Sequence, residues 1–449
     1  MWAHHGAPLV RSTSIQEVKS SGLATISRWN PLKYDSAPLR IHDPSFVHFK
    51  SYSHSPLRFL FDSIRYIKVH LPTNCRTLSP ITSSDITTSP HKNNITMGGN
   101  GNGSNGNGFS VDSGTEVQTD FITLTRFLTE EQARLHEHAT GDFTLLCHAL
   151  QLSFKTIAYF IRRASLRNLM GLAGSTNDSG DSQKKLDVIG NDIFINAMKG
   201  CGKVKFVVSE EEEELITFPG DGKYAVVCDP IDGSSNLDAG VSVGTIFGIF
   251  KLADGASKAE DICLPGTEMV ASGFTMYGAS ANLVLTMKGG AVNGFTLDTA
   301  LGEFILTHPD MRIPHSRSIY SVNEGNSLYW TEPVRKYFDS IKYPEGPDAK
   351  PYSARYIGSM VADAYRTLCY GGLFAYPADK KSPKGKLRIL YECAPMAMVM
   401  ENAGGMAITD SGSRMLEVVP EKIHDRSGIY MGSKGEIEKV LKVFNEYQK

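Results

Sequence analysis

Apolar positions along the chain follow two different periods, and the change between them organises the reading. From Thr119 to His138 and from Asp142 to Leu169 they recur at helical spacing, the second stretch setting Leu145, Leu146, Leu150, Phe154, Ile157 and Ile161 on one side. Thr140-Gly141-Asp142 separates the two as a turn with a helix N-cap signal. The polar, glycine-rich run 171–183 predicts a mobile loop, and helical spacing resumes from Leu186 to Met198. Short, nearly unbroken apolar runs then follow at 205–209, 223–229, 244–250, 281–286 and 295–297, as strands covered on both faces require. Helical spacing returns at 331–341, 360–370 and 392–403. This order predicts layered α/β architecture, with sheets covered by helices and a domain boundary near the polar break Pro309–Arg317.

The first 97 residues behave differently. They are rich in Ser, Thr, His, Arg and Lys, carry few acids and show weak periodicity. That composition is expected of an organelle transit peptide. A merely disordered extension, or upstream sequence ahead of a start at Met97, remains the alternative. Residues 98–114 are Gly- and Asn-rich and read as a flexible linker. The predicted folded body is therefore 115–449, divided into 115–314 and 315–449.

Composition narrows the function classes. A net charge of −2 leaves no global field to recruit nucleic acid or an anionic membrane. No apolar run is read as approaching the roughly 20 residues that span a bilayer. The seven cysteines show neither a CxxC pair nor zinc-ligand spacing, so reduced thiols are expected.

Candidate chemistry lies where strands end. Val207-Val208-Ser209 runs into a series of glutamates beginning Glu210-Glu211, and Val226-Val227-Cys228 runs into Asp229-Pro230-Ile231-Asp232-Gly233-Ser234-Ser235-Asn236. Ligands of open α/β sheets tend to sit beyond strand ends. If these strands are neighbours, four carboxylates converge and repel unless cations neutralise them. Oxygen-only ligands favour hard ions, Mg²⁺ or Mn²⁺. Pro230 fixes a bend, Gly233 permits close backbone approach, and Ser234, Ser235 and the following N–H groups offer a phosphate seat. Metal ligands beside a phosphate seat suit metal-assisted phosphoryl hydrolysis. A glutamate run alone is ordinarily a solvated loop and an isolated Asp-Gly a turn; their combination after an apolar strand is far more specific.

The string DPIDGSSNLDAGVSVGTIFGIF resembles the signature of the fructose-1,6-bisphosphatase family, within the lithium-sensitive sugar phosphatases. KKLDVIGND (184–192), VSEEE (208–212), GEFILTHPD (302–310), YSVNEGN (320–326), PYSARYIGSMVAD (351–363) and KSPKGKLRILYECAPMAMVMENAGG (381–405) extend the resemblance, in order, over about 115–449. It implies a five-layer α/β/α/β/α fold and Mg²⁺-dependent removal of the 1-phosphate, with roles in gluconeogenesis, sucrose and starch synthesis or the Calvin cycle. It further implies that Glu210, Asp229, Asp232 and Glu392, with the Ile231 carbonyl, hold two to three metal ions. Asp187 and Glu211 would polarise water, and Asp181 would join from its loop. Gly233 and Ser234 would face the 1-phosphate. Asn323, Arg355, Tyr356 and Tyr376 would grip the 6-phosphate, with Lys386 and Met360 at the sugar. The equivalent of Arg355 serves a neighbouring subunit in the family, which implies a homotetramer.

Departures from the family pattern carry expectations of their own. Asn326 stands where many members have Tyr, which removes one phosphate contact. Thr140, Gly141, Thr144, Lys223 and Tyr224 match an AMP site, but Asp142 replaces a longer Glu and Lys251 replaces Arg, so AMP inhibition is expected to be weak or absent. The segment KLADGASKAEDICLPG holds only Cys263, so the thioredoxin-sensitive disulfide of the light-regulated chloroplast form is not expected. A transit-like extension without that loop resembles the second plastid isoform of plants and implies the chloroplast stroma; a cytoplasmic isoform is the rival. Sedoheptulose-bisphosphatase, inositol-phosphatase and silent sugar-phosphate sensor readings compete. The intact SSN, SVNEG and ARYIGSM segments and the full set of metal carboxylates weigh against them.

Overall fold

The computed structural model describes residues 119–135, 140–176 and 182–447, all within one compact unit, Gly108–Lys449. The transit-peptide and linker expectations for 1–114 lie outside the described residues. Helices α1 (Leu124–Leu135) and α2 (Asp142–Ile161) come first, then the strands β1 (Leu172–Thr176) and β2 (Ser182–Lys184) and helix α3 (Lys185–Cys201). An eight-stranded sheet follows, built from β3 (Val204–Ser209), β4 (Ile216–Thr217), β5 (Tyr224–Asp232), β6 (Val243–Lys251), β7 (Met269–Tyr277), β8 (Ala281–Met287), β9 (Val292–Asp298) and β10 (Glu303–His308). Its order is β10-β9-β8-β7-β6-β5-β3-β4.

Next come β11 (Ile319–Ser321), α4 (Glu332–Lys342), β12 (Ser353–Ala354), α5 (Met360–Tyr370), β13 (Leu373–Tyr376) and β14 (Leu387–Arg388). The chain ends in α6 (Ala394–Asn402), β15 (Met406–Ile408), β16 (Arg426–Ser427), β17 (Ile429–Gly432) and α7 (Lys434–Tyr447). A five-stranded sheet runs β12-β11-β13-β17-β15, and β14 pairs with β16.

The layers follow from which faces are apolar. Helices α2 and α3 cover one face of the large sheet, α5 and α6 are shared between the two sheets, and α7, joined to α4, covers the far face of the small sheet. The result is the expected α/β/α/β/α stack. Alternation along the central strands shows why both faces must be covered. Phe206, Val208, Ala225 and Val227 enter the core between the sheets, while Val207, Val226 and Cys228 enter the core beneath α2 and α3. A third core, including Tyr337, Phe338, Tyr430 and Phe444, lies under α4 and α7.

Several expectations need correction. The second helix stops at Ile161 rather than Leu169 and gives way to a short 3₁₀ turn at Ser165–Arg167, closed by Asn168 at φ 54°. Leu145 is 51% exposed and Leu166 83% exposed, so neither belongs to the buried stripe of Leu146, Leu150, Phe154 and Ile157. Helix α2 is also long and apolar enough, by length and composition, to cross a membrane. Its apolar content is explained by packing against α3 and the large sheet. The run 171–183, expected to be a loop, contains β1 and pairs it antiparallel with β2. The short strands β11, β13, β15 and β17 lack the length that gives a clear period, and β7 is diluted by Ser272, Gly273 and Thr275.

Candidate active site

The two acid-ending strands are parallel neighbours, with Ser209 opposite Cys228 and Glu210 N donating to the Cys228 carbonyl at 3.1 Å. The pairing of β5 with β6 shifts between Asp229 and Asp232, opposite Ile246 and Gly244, so the Pro230-Ile231 step is a bulge. Thr245 Oγ1 fastens it by donating to the Pro230 carbonyl at 2.7 Å. Beyond the bulge Gly233 takes φ 76° and opens a short 3₁₀ turn, Ser234–Ala239. A Cβ on Gly233 would lie 2.6 Å from the Ser359 Cβ, so this glycine is required both by conformation and by close approach.

Glu392 comes from a distant segment. It sits in a π-helical turn, Ile389–Cys393, that runs into α6. Carboxylate oxygens of Asp229, Asp232 and Glu392 all lie within 4.8 Å of one another, and all three residues are buried. A backbone N–H fixes one oxygen of each: Ile231 N to Asp229 Oδ1 at 3.0 Å, Val361 N to Asp232 Oδ2 at 2.9 Å, and Arg388 N to Glu392 Oε2 at 2.6 Å. Asp187, at the start of α3, follows the same rule, with Lys184 N donating to its Oδ2 at 2.7 Å. Ser234 is a further side-chain partner of Asp187, but among the described residues the buried Oδ1 of Asp187 meets no donor at full hydrogen-bond geometry. Ser359 Oγ adds a second donor to Asp232 Oδ2 at 2.7 Å.

Burial sets the electrostatics. It pushes the carboxyl of Asp187 up to about 6, that of Glu211 to about 7, that of Asp232 to about 6 and that of Glu392 to about 8, and raises Asp229 as well. Neighbouring carboxylates push the same way, and the N–H donors and Arg388 oppose them. Crowded oxygen donors with an unpartnered buried oxygen among them fit a hard divalent cation.

A cavity of about 540 Å³ opens onto this cluster. Of the predicted residues it gathers Asp187, Glu210, Glu211, Asp229, Ile231, Asp232, Glu392, Gly233 and Ser234, together with Asn323, Tyr356, Met360, Tyr376 and Lys386. Glu210 lies outside that mutual triplet but is hydrogen-bonded to the Asp229 carboxyl, and it pairs with Arg388, whose Nη1 is 2.9 Å from Glu210 Oε1 and 3.8 Å from Glu392 Oε2. Arg355 does not line the cavity; it is exposed and donates from Nη1 to the Ala354 carbonyl at 2.8 Å. Asp181 lies outside the described residues.

Sequence reasoning passed over four side chains that shape the site. Arg388 is a single cation in an otherwise apolar buried run, Leu387–Leu390, and that oddity was the available signal. Gln183 Nε2 donates to Glu211 Oε2 at 2.6 Å. Asn191 links Ser209 to Glu212, accepting from Ser209 Oγ at 2.8 Å and donating to Glu212 Oε1 at 2.6 Å. Ser359 gave no signal, because its partner Asp232 is 127 positions away.

A second cavity, of about 380 Å³, is lined by Thr140, Gly141, Thr144, Lys223 and Tyr224, with Lys251 and Lys288. Asp142 lies beside it, 2.7 Å from Lys203 Nζ and 3.8 Å from Lys223 Nζ. Lys203 foremost holds the Asp142 carboxyl below its usual range.

Comparison with known proteins gives the family. Residues 122–309 match the family model "Fructose-1-6-bisphosphatase, N-terminal domain", and residues 313–445 match "Fructose-1-6-bisphosphatase, C-terminal domain". The chain is 59% identical over 338 residues to fructose-1,6-bisphosphatase of Saccharomyces cerevisiae, an alignment covering 75% of this chain and 97% of that protein. It is 52% identical over 330 residues to the cytosolic fructose-1,6-bisphosphatase of Solanum tuberosum, covering 73% of this chain and 96% of the relative. Among solved structures, Leishmania major fructose-1,6-bisphosphatase in holo form superposes with a TM-score of 0.68 at 44% identity, over 73% of this chain and 99% of that one. The fold and site define a phosphoric monoester hydrolase of α/β architecture. The chain belongs to the fructose-1,6-bisphosphatase family.

Proposed function

We propose that the protein hydrolyses the 1-phosphate of fructose 1,6-bisphosphate to give fructose 6-phosphate and inorganic phosphate, as a step of gluconeogenesis. The observation that carries this reading is the buried triplet Asp229, Asp232 and Glu392, each with one oxygen fixed by a backbone N–H, facing a cavity with Gly233 and Ser234. Mg²⁺, with Mn²⁺ as substitute, is the expected occupant, held by the triplet with Glu210 and the Ile231 carbonyl. When bound, it supplies charge stabilisation at the phosphoryl group and activation of water.

The chain's own groups do the rest. Glu211, with its carboxyl near 7 and oriented by Gln183, is suited to take a proton from water at neutral pH. Asp187 shares that task through its unpartnered Oδ1, and Asp181 is assigned to it on resemblance alone. The turn from Gly233 to Ser234 seats the reacting phosphate. Asn323, Tyr356, Tyr376 and Lys386 hold the distal one, with Met360 against the sugar, so that remote binding energy orients the reacting group. Arg355, exposed and outside the cavity of its own chain, is assigned on resemblance to the site of a neighbouring subunit in a homotetramer.

Two further readings belong here. The second cavity is a weak AMP site, because Asp142 engages Lys203 and Lys223 and Lys251 offers no bidentate grip. The cytoplasm is the favoured compartment: the plant relatives are named cytosolic and the others are fungal, so the chloroplast, transit-peptide and Calvin-cycle expectations find no support in them. Rates of phosphate release from fructose 1,6-bisphosphate, sedoheptulose 1,7-bisphosphate and an inositol monophosphate test the assignment. A preference for either of the last two would overturn it.

A further inference from the structure

Tyr356, Gly358 and Ser359 of the segment 355–359 all line the main cavity. At the cluster end, Ser359 Oγ holds Asp232 at 2.7 Å, and Asn236 Nδ2, from the turn after Gly233, donates to the Gly358 carbonyl at 3.2 Å. Tyr356, assigned to the distal phosphate, lines the same cavity. Between them the segment hangs on one carboxylate. Asp363, fully buried in α5, accepts from Ile357 N at 3.0 Å, Gly358 N at 3.1 Å and Ser321 Oγ at 2.8 Å, with Arg366 Nη2 2.8 Å from it. Ser321 ends β11, two residues before Asn323. Both stretches assigned to the distal phosphate therefore converge on Asp363, which has no assigned part in the reaction.

We propose that Asp363 is a positioning residue that fixes the spacing between the two phosphate seats and so makes the site select sugar bisphosphates over monophosphates. This rests on the assignment of the cavity to a bisphosphate. A buried carboxyl group is retained only where its partners compensate its burial. Here the donors are two consecutive peptide N–H groups of the bridging segment and the hydroxyl at the end of β11. They lock these two pieces of chain in one relative position, while Ser359 and Asn236 tie the same segment to the reacting end.

Asp363→Asn tests the proposal because it keeps the volume but turns one acceptor into a donor. With Oδ1 kept toward Ser321, the amide nitrogen must face the Ile357 and Gly358 N–H groups, and the segment shifts. At saturating Mg²⁺, which offsets the effect of the removed charge on Asp232, losing charge-assisted anchorage predicts a rise in KM for fructose 1,6-bisphosphate of about tenfold, with kcat changed less than about twofold. On fructose 1-phosphate, which has no distal phosphate, kcat/KM should change less than about twofold. Ser321→Ala, which removes one donor and leaves the N–H pair, should show a smaller rise in the same pattern, and it carries the test if circular dichroism shows Asp363→Asn unfolded. An equal loss on both substrates, or an unchanged KM in a folded variant, would overturn the proposal. A wild-type protein inactive on fructose 1,6-bisphosphate would instead overturn the assignment of the site.

Discussion

Ser359→Ala isolates one link between the two halves of the site. Ser359 is buried, donates from Oγ to Asp232 Oδ2 at 2.7 Å, and accepts from Ala362 N at 3.4 Å as the N-cap of α5. The substitution leaves Asp232 Oδ2 to the Val361 N–H at 2.9 Å. A hydrogen bond to a charged group contributes about 1.5–3 kcal/mol, or roughly one to two pKa units at about 1.36 kcal/mol each. Asp232, already raised by burial, would then be raised further, by roughly one to two pKa units. At pH 7 a larger share of it is protonated in the variant, so half-saturation by Mg²⁺ should rise severalfold, at most about tenfold for each pKa unit added. At pH 9 protons compete less in both proteins and the difference should shrink. Loss of the cap lowers stability by about 1 kcal/mol, which a thermal melt separates from the metal effect. Mg²⁺ titrations of activity at pH 7 and pH 9 make the measurement. An unchanged half-saturation at pH 7, or an equal rise at both, would refute the reasoning.

Three further outcomes follow from the same geometry. Asp187, Glu211, Asp232 and Glu392 have folded-state values raised to about 6, 7, 6 and 8, so their contribution to metal-free stability is complete below their unfolded values near pH 4 and is lost as pH rises through 6 to 8. Metal competes with those protons, so the gain in Tm on adding Mg²⁺ should grow from pH 6 to pH 8 by about 2–4 °C per pH unit; a larger gain at pH 6 would contradict this. Asp238 accepts from Gly171 N at 3.0 Å and lies 2.6 Å from Lys184 Nζ, bracketing β1 and β2. Asp238→Ala should therefore lower kcat severalfold while leaving half-saturation by Mg²⁺ within about twofold; a larger effect on metal dependence would require Asp238 to be redrawn as a ligand. AMP should inhibit weakly, and micromolar inhibition in a steady-state assay would show that Lys223 and Lys251 bind its phosphate despite Asp142.

The legible parts of the fold and site were those written in consecutive residues. Apolar runs at 205–209 and 223–229, each broken by acids, marked two strand ends, and the structure makes them neighbours. The expected cavity residues around DPIDGSS arrived together because one bulge and one turn carry them. What the sequence hid depends on long-range pairing. Ser359 meets Asp232, Asp363 meets Ser321, and Arg388 meets Glu210 only after the two sheets close on α5 and α6. The over-long second helix has a different cause: Leu166 continues the apolar pattern but is not buried, because the chain turns at Arg162–Ala164. The pairing within 171–184 escaped notice because glycine and polar residues give no two-residue period.

The central claim is metal-dependent removal of the 1-phosphate at the Asp229, Asp232 and Glu392 cluster. Its most direct test is phosphate release from fructose 1,6-bisphosphate by the purified protein, with and without Mg²⁺, with the remaining sugar phosphate identified. The account predicts fructose 6-phosphate as product, no turnover after chelation, and recovery on adding Mg²⁺. Turnover that survives chelation, or fructose 1-phosphate as the product, would contradict it.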